Sequence, residues 1–115
     1  GGVIIVLSEC KDGVGRGHET FYELMAAAKN PLEVLERIKR EEPIKDQWEA
    51  QVLAQVLAEN DVILVTKGIK SSVIEEMHMT HASDVEEALE LALKKTGSNA
   101  GITVIPEGPY VIPSL

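Results

Sequence analysis

The sequence predicts an α/β domain built around a small, mostly parallel β-sheet that is covered by helices. Segments rich in Val and Ile at residues 1–7, 61–66 and 101–105 have the continuous apolar character of strands buried on both faces. Helical patterns separate these segments, and long helical crossovers join parallel strands. Aromatic residues make up only 3% of the 115 residues, so the core must be aliphatic, which suits helices packed on a parallel sheet.

The first predicted strand leads into a polar loop, residues 8–18, with a glycine at every second position from 13 to 17. Glycine allows positive φ and a close approach of the backbone to a ligand or a neighbouring chain segment. Asp12, Arg16 and His18 could orient a small anionic ligand here. A connector whose glycines serve only backbone geometry explains the pattern equally well. The spacing matches neither the dinucleotide-binding fingerprint nor the phosphate-binding P-loop.

Two helices are predicted in the next segment. Apolar residues recur at helical spacing from Phe21 to Ala28. A second helix should begin at Pro31, because proline suits the first helical position, and Asn30 with Glu33 forms a capping box in front of it.

A third helix is predicted over residues 46–60, with Asp46 as its N-cap and Glu49 completing the capping box. Its apolar stripe consists of Trp48, Val52 and Val56. Trp48 is most simply a core anchor, although its place near the helix start also lets it wall a pocket. Gln47 beside it could bond a carboxylate or a partner domain.

The second half of the chain repeats the alternation of strand and helix. A polar loop, a short helical turn over residues 73–77 and a helix opened by a Ser83–Glu86 capping box follow the second strand. That helix should end near Gly97, and residues 101–105 are predicted to form the third strand.

His78 and His81 form a His-x-x-His pair, which suggests a metal site. Two histidines without a third ligand are weak support for one. We therefore expect these imidazoles to be hydrogen-bonded within a packed loop, and we assign no metal ligand in the sequence. We also expect Cys10 to be a small buried residue and not a reactive thiol.

Taken in order, these elements predict a single α/β domain over residues 1–115, a three-layer Rossmann-like fragment with about three strands. Ligands of open parallel sheets bind outside the carboxyl ends of the strands. We therefore expect the polar loops after the three strands, residues 8–18, 66–72 and 106–109, to share one rim.

Composition excludes several functions. A formal net charge of -8 repels phosphate backbones and anionic lipids, so neither nucleic acid nor a membrane surface is expected as a partner. Cys10 is the only cysteine and cannot form an internal disulfide, and no signal peptide is visible, so a cytoplasmic location is expected. No Ser/His/Asp constellation that would indicate a catalytic centre emerges.

Six short motifs follow one another along almost the whole chain. They are residues 1–5 (GGVII), 8–13 (SECKDG), 46–51 (DQWEAQ), 63–66 (ILVT), 76–79 (EMHM) and 104–108 (VIPEG). Each motif is unspecific alone, but in this order they resemble the C-terminal domain of the nickel-dependent lactate racemase family.

This resemblance implies a two-domain enzyme that inverts C2 of a 2-hydroxy acid such as lactate. Its cofactor would be a nickel-pincer nucleotide, which is derived from nicotinic acid and tethered to a lysine. The N-terminal domain of the family holds that lysine and the catalytic histidines, so we expect no catalytic residue in this chain and no activity from it alone. The chain would be the distal part of the C-terminal domain. The Asp-Gln-Trp match implies that Trp48, with Gln47, closes over substrate or cofactor.

Two other functions fit the residues. The chain could be a free-standing small-anion-binding or regulatory α/β module, or an assembly domain that uses a polar helix face. That face consists of Gln47, Gln51 and Gln55. The sequence does not distinguish among 2-hydroxy acids.

Overall fold

A computed structural model describes residues 1–108 of the chain. In chain order the elements are β1 (Val3–Leu7), α1 (Glu19–Ala27), α2 (Pro31–Arg40), α3 (Gln47–Glu59), β2 (Asp61–Val65), α4 (Ser71–Glu76), β3 (Thr80–Ala82) and α5 (Val85–Thr96). No helix in this range is both long enough and apolar enough to cross a membrane.

The three strands form a parallel sheet in the order β1-β2-β3, which confirms the predicted fold class. Ile5 lies opposite Ile63, and Ile63 lies opposite Thr80. The location of the third strand was predicted wrongly. The sheet uses the short segment Thr80–Ala82, whereas residues 101–105 are exposed and form no strand with the rest of the described chain.

Helices lie on both faces of the sheet. On one face α5 packs against β2 and β3, where Ile63, Ala82 and Ala88 are fully buried. On the other face Val62 and Leu64 are buried as well, and α3 contacts β2. The helices α1 and α2 pack against α3 around a second core cluster. Its buried members are Met25, Ala28, Val34, Ala50, Ala54 and Met77.

The first strand differs from its prediction, because it is not buried on both faces. Strand β1 is an edge strand, and Ile4, Val6 and Leu7 are 41%, 40% and 61% exposed. Only Val3 and Ile5 pack against the cluster beneath α5. An apolar strand thus remains open on one face and along one edge within the described residues.

Helix caps show how local sequence sets the helix boundaries. The prediction for α2 is confirmed, since Asn30 Oδ1 accepts a hydrogen bond from the Glu33 N–H at 2.9 Å. The prediction for α5 is wrong by one residue. Asp84 is the N-cap and accepts from the Glu87 N–H at 2.8 Å, while the Glu87 carboxylate accepts from the Ser83 N–H at 2.9 Å.

This one-residue difference gives a direct test. Replacing Asp84 with alanine should lower the free energy of unfolding by about 1 kcal/mol, because it leaves a helix N–H without its acceptor. Ser83→Ala is the matched control and should have little effect, since only the backbone N–H of Ser83 is used. Urea denaturation measures both. Equal losses for the two variants would contradict the assignment of the cap.

Candidate functional site

The carboxyl ends of the strands open into a shallow cleft. Its volume is roughly 450 Å³, and it is lined by Leu7, Ser8, Glu9, Val65, Thr66, Lys67 and Ser83. The loops after β1 and β2 meet here, as the sequence predicted, and Ser83 follows β3. Of the predicted third loop, residues 106–108 do not line this cleft and Pro109 lies outside the described residues.

Hydrogen bonds centred on Thr66 hold the rim together. Its hydroxyl donates to the Glu9 carbonyl at 3.2 Å and accepts from the Gly68 N–H at 3.1 Å. Its own carbonyl lies 2.9 Å from His81 Nε2. The loops after β1 and β2 are therefore fixed to each other, which gives the edge of the cleft a defined shape.

The glycine-rich loop has the backbone geometry that its sequence predicted. Residues 13, 15 and 17 have φ values of 63°, 113° and 80°. Within it, Asp12 and Arg16 line a second cleft of roughly 340 Å³ together with Glu19 and Tyr22. The loop thus brings Asp12 and Arg16 to one place, but His18 is directed elsewhere.

One carboxyl group and one phenol of this second cleft, those of Glu19 and Tyr22, have shifted pKa values. The backbone N–H groups of Glu19 and Gly17 lower the pKa of the Glu19 carboxyl group. The Tyr22 hydroxyl donates to the Glu76 carboxylate, and this hydrogen bond raises the pKa of Tyr22. At neutral pH the cleft therefore presents a carboxylate and a neutral phenol beside the Arg16 guanidinium.

His18 lies against the start of α3. Its Nδ1 is 3.1 Å from Asp46 Oδ2, and Asp46 is only 8% exposed. The prediction that Asp46 caps α3 with its side chain is wrong. Asp46 adopts a left-handed conformation with φ 62° and makes no side-chain capping bond, because its carboxylate turns towards His18. Close by, the Lys45 ammonium donates to the Gly17 carbonyl at 2.7 Å.

Trp48 is 67% exposed, so its prediction as a core anchor is wrong. The face of α3 that packs inward carries Ala50 and Ala54, both fully buried. Helix α3 ends immediately before β2 begins, so its first turn lies at the carboxyl edge of the sheet. Trp48 belongs to this first turn and therefore lies at the same edge as the end of the glycine-rich loop, where His18 contacts Asp46.

Gln47 is held by the backbone on both sides of its amide. Its Oε1 accepts from the Ile44 N–H at 3.0 Å, and its Nε2 donates to the Ile38 carbonyl at 3.4 Å. These bonds tie the first turn of α3 to the end of α2. They fix the position from which Trp48 projects.

His78 and His81 are hydrogen-bonded, as predicted, although His81 belongs to β3 and not to a loop. His78 Nε2 lies 2.8 Å from the Met25 carbonyl and His81 Nε2 lies 2.9 Å from the Thr66 carbonyl. Cys10 is half-buried, with φ 47°, in the loop after β1, so the full burial expected for it is not found.

Sequence reasoning missed the structural importance of Thr66, Gly68 and the His18–Asp46 contact. Thr66 and Gly68 follow directly on the end of β2, and this position in the sequence could have indicated that they shape the rim of the cleft. His18 and Asp46 are 28 positions apart, each at the start of a different helix, and no local sequence pattern indicates their contact.

Comparison with known proteins identifies the family. Residues 1–113 match the family model described as the lactate racemase C-terminal domain. The chain belongs to this family. It is 42% identical over 115 residues to a lactate racemase of Thermoanaerobacterium thermosaccharolyticum, a match that covers 97% of the chain and 26% of that protein. It is 38% identical over 115 residues to a lactate racemase of Lactiplantibacillus plantarum, covering 97% and 27%.

The fold agrees with a solved member of the lactate racemase family. The lactate racemase apoprotein from Thermoanaerobacterium thermosaccharolyticum superposes with a TM-score of 0.90 at 41% sequence identity, over 97% of this chain and 27% of that one. The chain thus spans about a quarter of the length of the curated relatives that it matches.

Proposed function

We propose that this chain is the distal part of the C-terminal domain of a racemase or epimerase that inverts C2 of a 2-hydroxy acid such as lactate. The observation that supports this most directly is the 42% identity to a lactate racemase over 97% of the chain. The remaining part of the enzyme would be an N-terminal domain of the same protein. A cytoplasmic location remains part of this proposal.

The proposed cofactor is a nickel-pincer nucleotide, which when bound would supply the hydride acceptor for the reaction. His78 and His81 are each hydrogen-bonded to a backbone carbonyl, and His18 faces the buried Asp46. Among residues 1–108 no cluster of three or more metal-ligating side chains contains two histidines, which does not fit the histidine pair expected of the catalytic site. It supports the proposal that the catalytic histidines and the cofactor site lie in the N-terminal domain.

The contribution of this chain would be a wall of the active site. Trp48 offers a flat apolar surface with one N–H donor, and it is exposed at the carboxyl edge of the sheet. We propose that the indole covers substrate or cofactor and that Gln47 positions it through its two backbone contacts. Asp12 and Arg16 remain candidates for contact with a small anion.

The open strand β1 supports the proposed partnership with an N-terminal domain. Ile4 and Val6 expose apolar side chains on one face of the strand, and Leu7 is exposed at its carboxyl end, whereas soluble proteins normally cover such surface. Further apolar side chains are exposed near the end of the described residues, where Ile102, Val104 and Ile105 are 62%, 79% and 42% exposed. We propose that the other domain packs on these side chains.

The first experiment is an assay of the native protein with its cofactor loaded. The intact mass should correspond to a chain several times longer than 115 residues, and chiral chromatography should show D- and L-lactate converting into each other. If the protein instead racemises a different 2-hydroxy acid, the proposed type of reaction stands and lactate is not the substrate. If the native protein acts on no 2-hydroxy acid, or if the isolated chain is active by itself, the proposed assignment of roles is wrong.

In the same protein, Trp48→Ala should lower kcat/KM by about tenfold or more, which corresponds to about 1.4 kcal/mol of lost transition-state stabilisation. The melting temperature should hardly change, because the indole is outside the core. Val52→Ala is the matched control, since Val52 is 53% exposed one turn further along α3. If the wild type, Trp48→Ala and Val52→Ala were equally active, Trp48 would not be part of the active site.

A further inference from the structure

We propose that His18, Asp46 and Glu49 form a binding site for a divalent transition-metal ion of the zinc class. One potential ligand atom from each side chain lies within 4.8 Å of the others. This site is separate from the nickel of the proposed cofactor, and it does not depend on the racemase assignment.

The pair at the centre of the cluster is buried and lacks directed partners. Asp46 is 8% exposed, and among residues 1–108 neither Asp46 Oδ2 nor His18 Nδ1 makes a well-directed hydrogen bond, although they are 3.1 Å apart. A buried carboxylate oxygen without a donor is costly. A cation between these atoms would satisfy both.

The distances suit one shared ion. Two ligands bound to one tetrahedral zinc at about 2.0–2.2 Å lie roughly 3.3–3.6 Å apart. The separation of His18 Nδ1 and Asp46 Oδ2 is close to this range, at 3.1 Å. Glu49 is one helical turn after Asp46, so a rotation of its flexible side chain can supply the third ligand.

The donor set decides the class of ion. Imidazole nitrogen suits Zn²⁺, Co²⁺ and Ni²⁺, whereas Mg²⁺ and Ca²⁺ prefer oxygen ligands alone. Two carboxylates offset the ion's charge, which is needed because the positive ends of the α1 and α3 dipoles and the Lys45 ammonium lie nearby.

The ion would link two parts of the rim. His18 is the N-cap of α1, and Asp46 is the N-cap of α3. Two of the three ligands flank Gln47 and Trp48 in sequence. Binding would therefore fix the start of α3, and with it the indole, against the end of the glycine-rich loop.

The test is a zinc titration of the native full-length protein after dialysis against EDTA, in competition with a chromophoric chelator. The wild type should bind one more equivalent of Zn²⁺ than His18→Gln or Asp46→Asn, each of which should weaken this site by more than about 100-fold. Glu59→Gln is the matched control, because Glu59 is an exposed carboxylate at the far end of α3. It should bind like the wild type.

A second readout guards against misfolding of the Asp46 variant. Zinc should raise the melting temperature of the wild type and of Glu59→Gln but not of His18→Gln. The wild-type His18 side chain is half-exposed, so this substitution should leave the fold intact. Glu49→Gln should weaken binding while leaving the His18–Asp46 contact in place. If all variants bind the same number of zinc ions with equal affinity, the cluster is a simple ion pair and the proposal fails. It also fails if Ca²⁺ or Mg²⁺ binds at these residues and Zn²⁺ does not, because the class of ion is then wrong.

Discussion

Replacing Gly68 with alanine is expected to destabilise the protein by about 3 kcal/mol, at the upper end of the usual cost of overpacking. A Cβ atom at this position would overlap the backbone carbonyl groups of Glu9 and Cys10. Backbone atoms cannot rotate away as the end of a side chain can. The loops after β1 and β2 would therefore have to separate.

Separation would also break the hydrogen bonds around Thr66, because its hydroxyl joins Glu9 to Gly68. Urea denaturation of the native protein measures the loss of stability. Gly101→Ala is the control, since no heavy atom lies within 4 Å of the Cβ position there. If the two glycine variants were equally stable, the close approach of the two loops would not exist in solution.

Replacing Ile63 with alanine is expected to lower the free energy of unfolding by about 2–5 kcal/mol. Ile63 is fully buried in the central strand and packs against Ala82 and Ala88 beneath α5. The other two fully buried members of the cluster are already small, so Ile63 supplies most of the volume at its centre and truncation leaves a cavity there.

A graded series makes this prediction specific. Ile63→Val should cost about 0.5–1.5 kcal/mol, less than Ile63→Ala, because it removes one methyl group. Ile44→Ala is the control, as Ile44 is 48% exposed in the connection before α3. Chemical denaturation of the three variants gives the comparison. A loss for Ile63→Ala no larger than that for Ile44→Ala would contradict the central position of β2 in the core.

The sequence predicted the elements whose signals are local. Strands β1 and β2 are runs of β-branched and aliphatic residues, and the Asn30-Pro31 start of α2 has both a cap and a favourable first residue. The third strand was missed because Thr80–Ala82 is short and not strongly apolar. Residues 101–105 have a stronger strand pattern, but pairing depends on neighbours that the pattern does not specify.

Trp48 illustrates a second limit. Helix α3 has apolar residues on more than one stripe, so periodicity alone does not identify the buried face. The small side chains of Ala50 and Ala54 decide it, because they allow close packing against α1 and α2. The contact of Asp46 with His18 was unpredictable for a related reason, since a competing tertiary partner displaced the expected cap.

The spatial order of the strands equals their order in the chain, which has a consequence for how the domain assembles. Pairing β2 with β3 closes only residues 66–79, whereas pairing β1 with β2 closes residues 8–60. The longer loop costs about 1 kcal/mol more in closure entropy. We therefore expect β2, α4 and β3 to associate early during folding, with β1 joining the sheet once the helices between have formed.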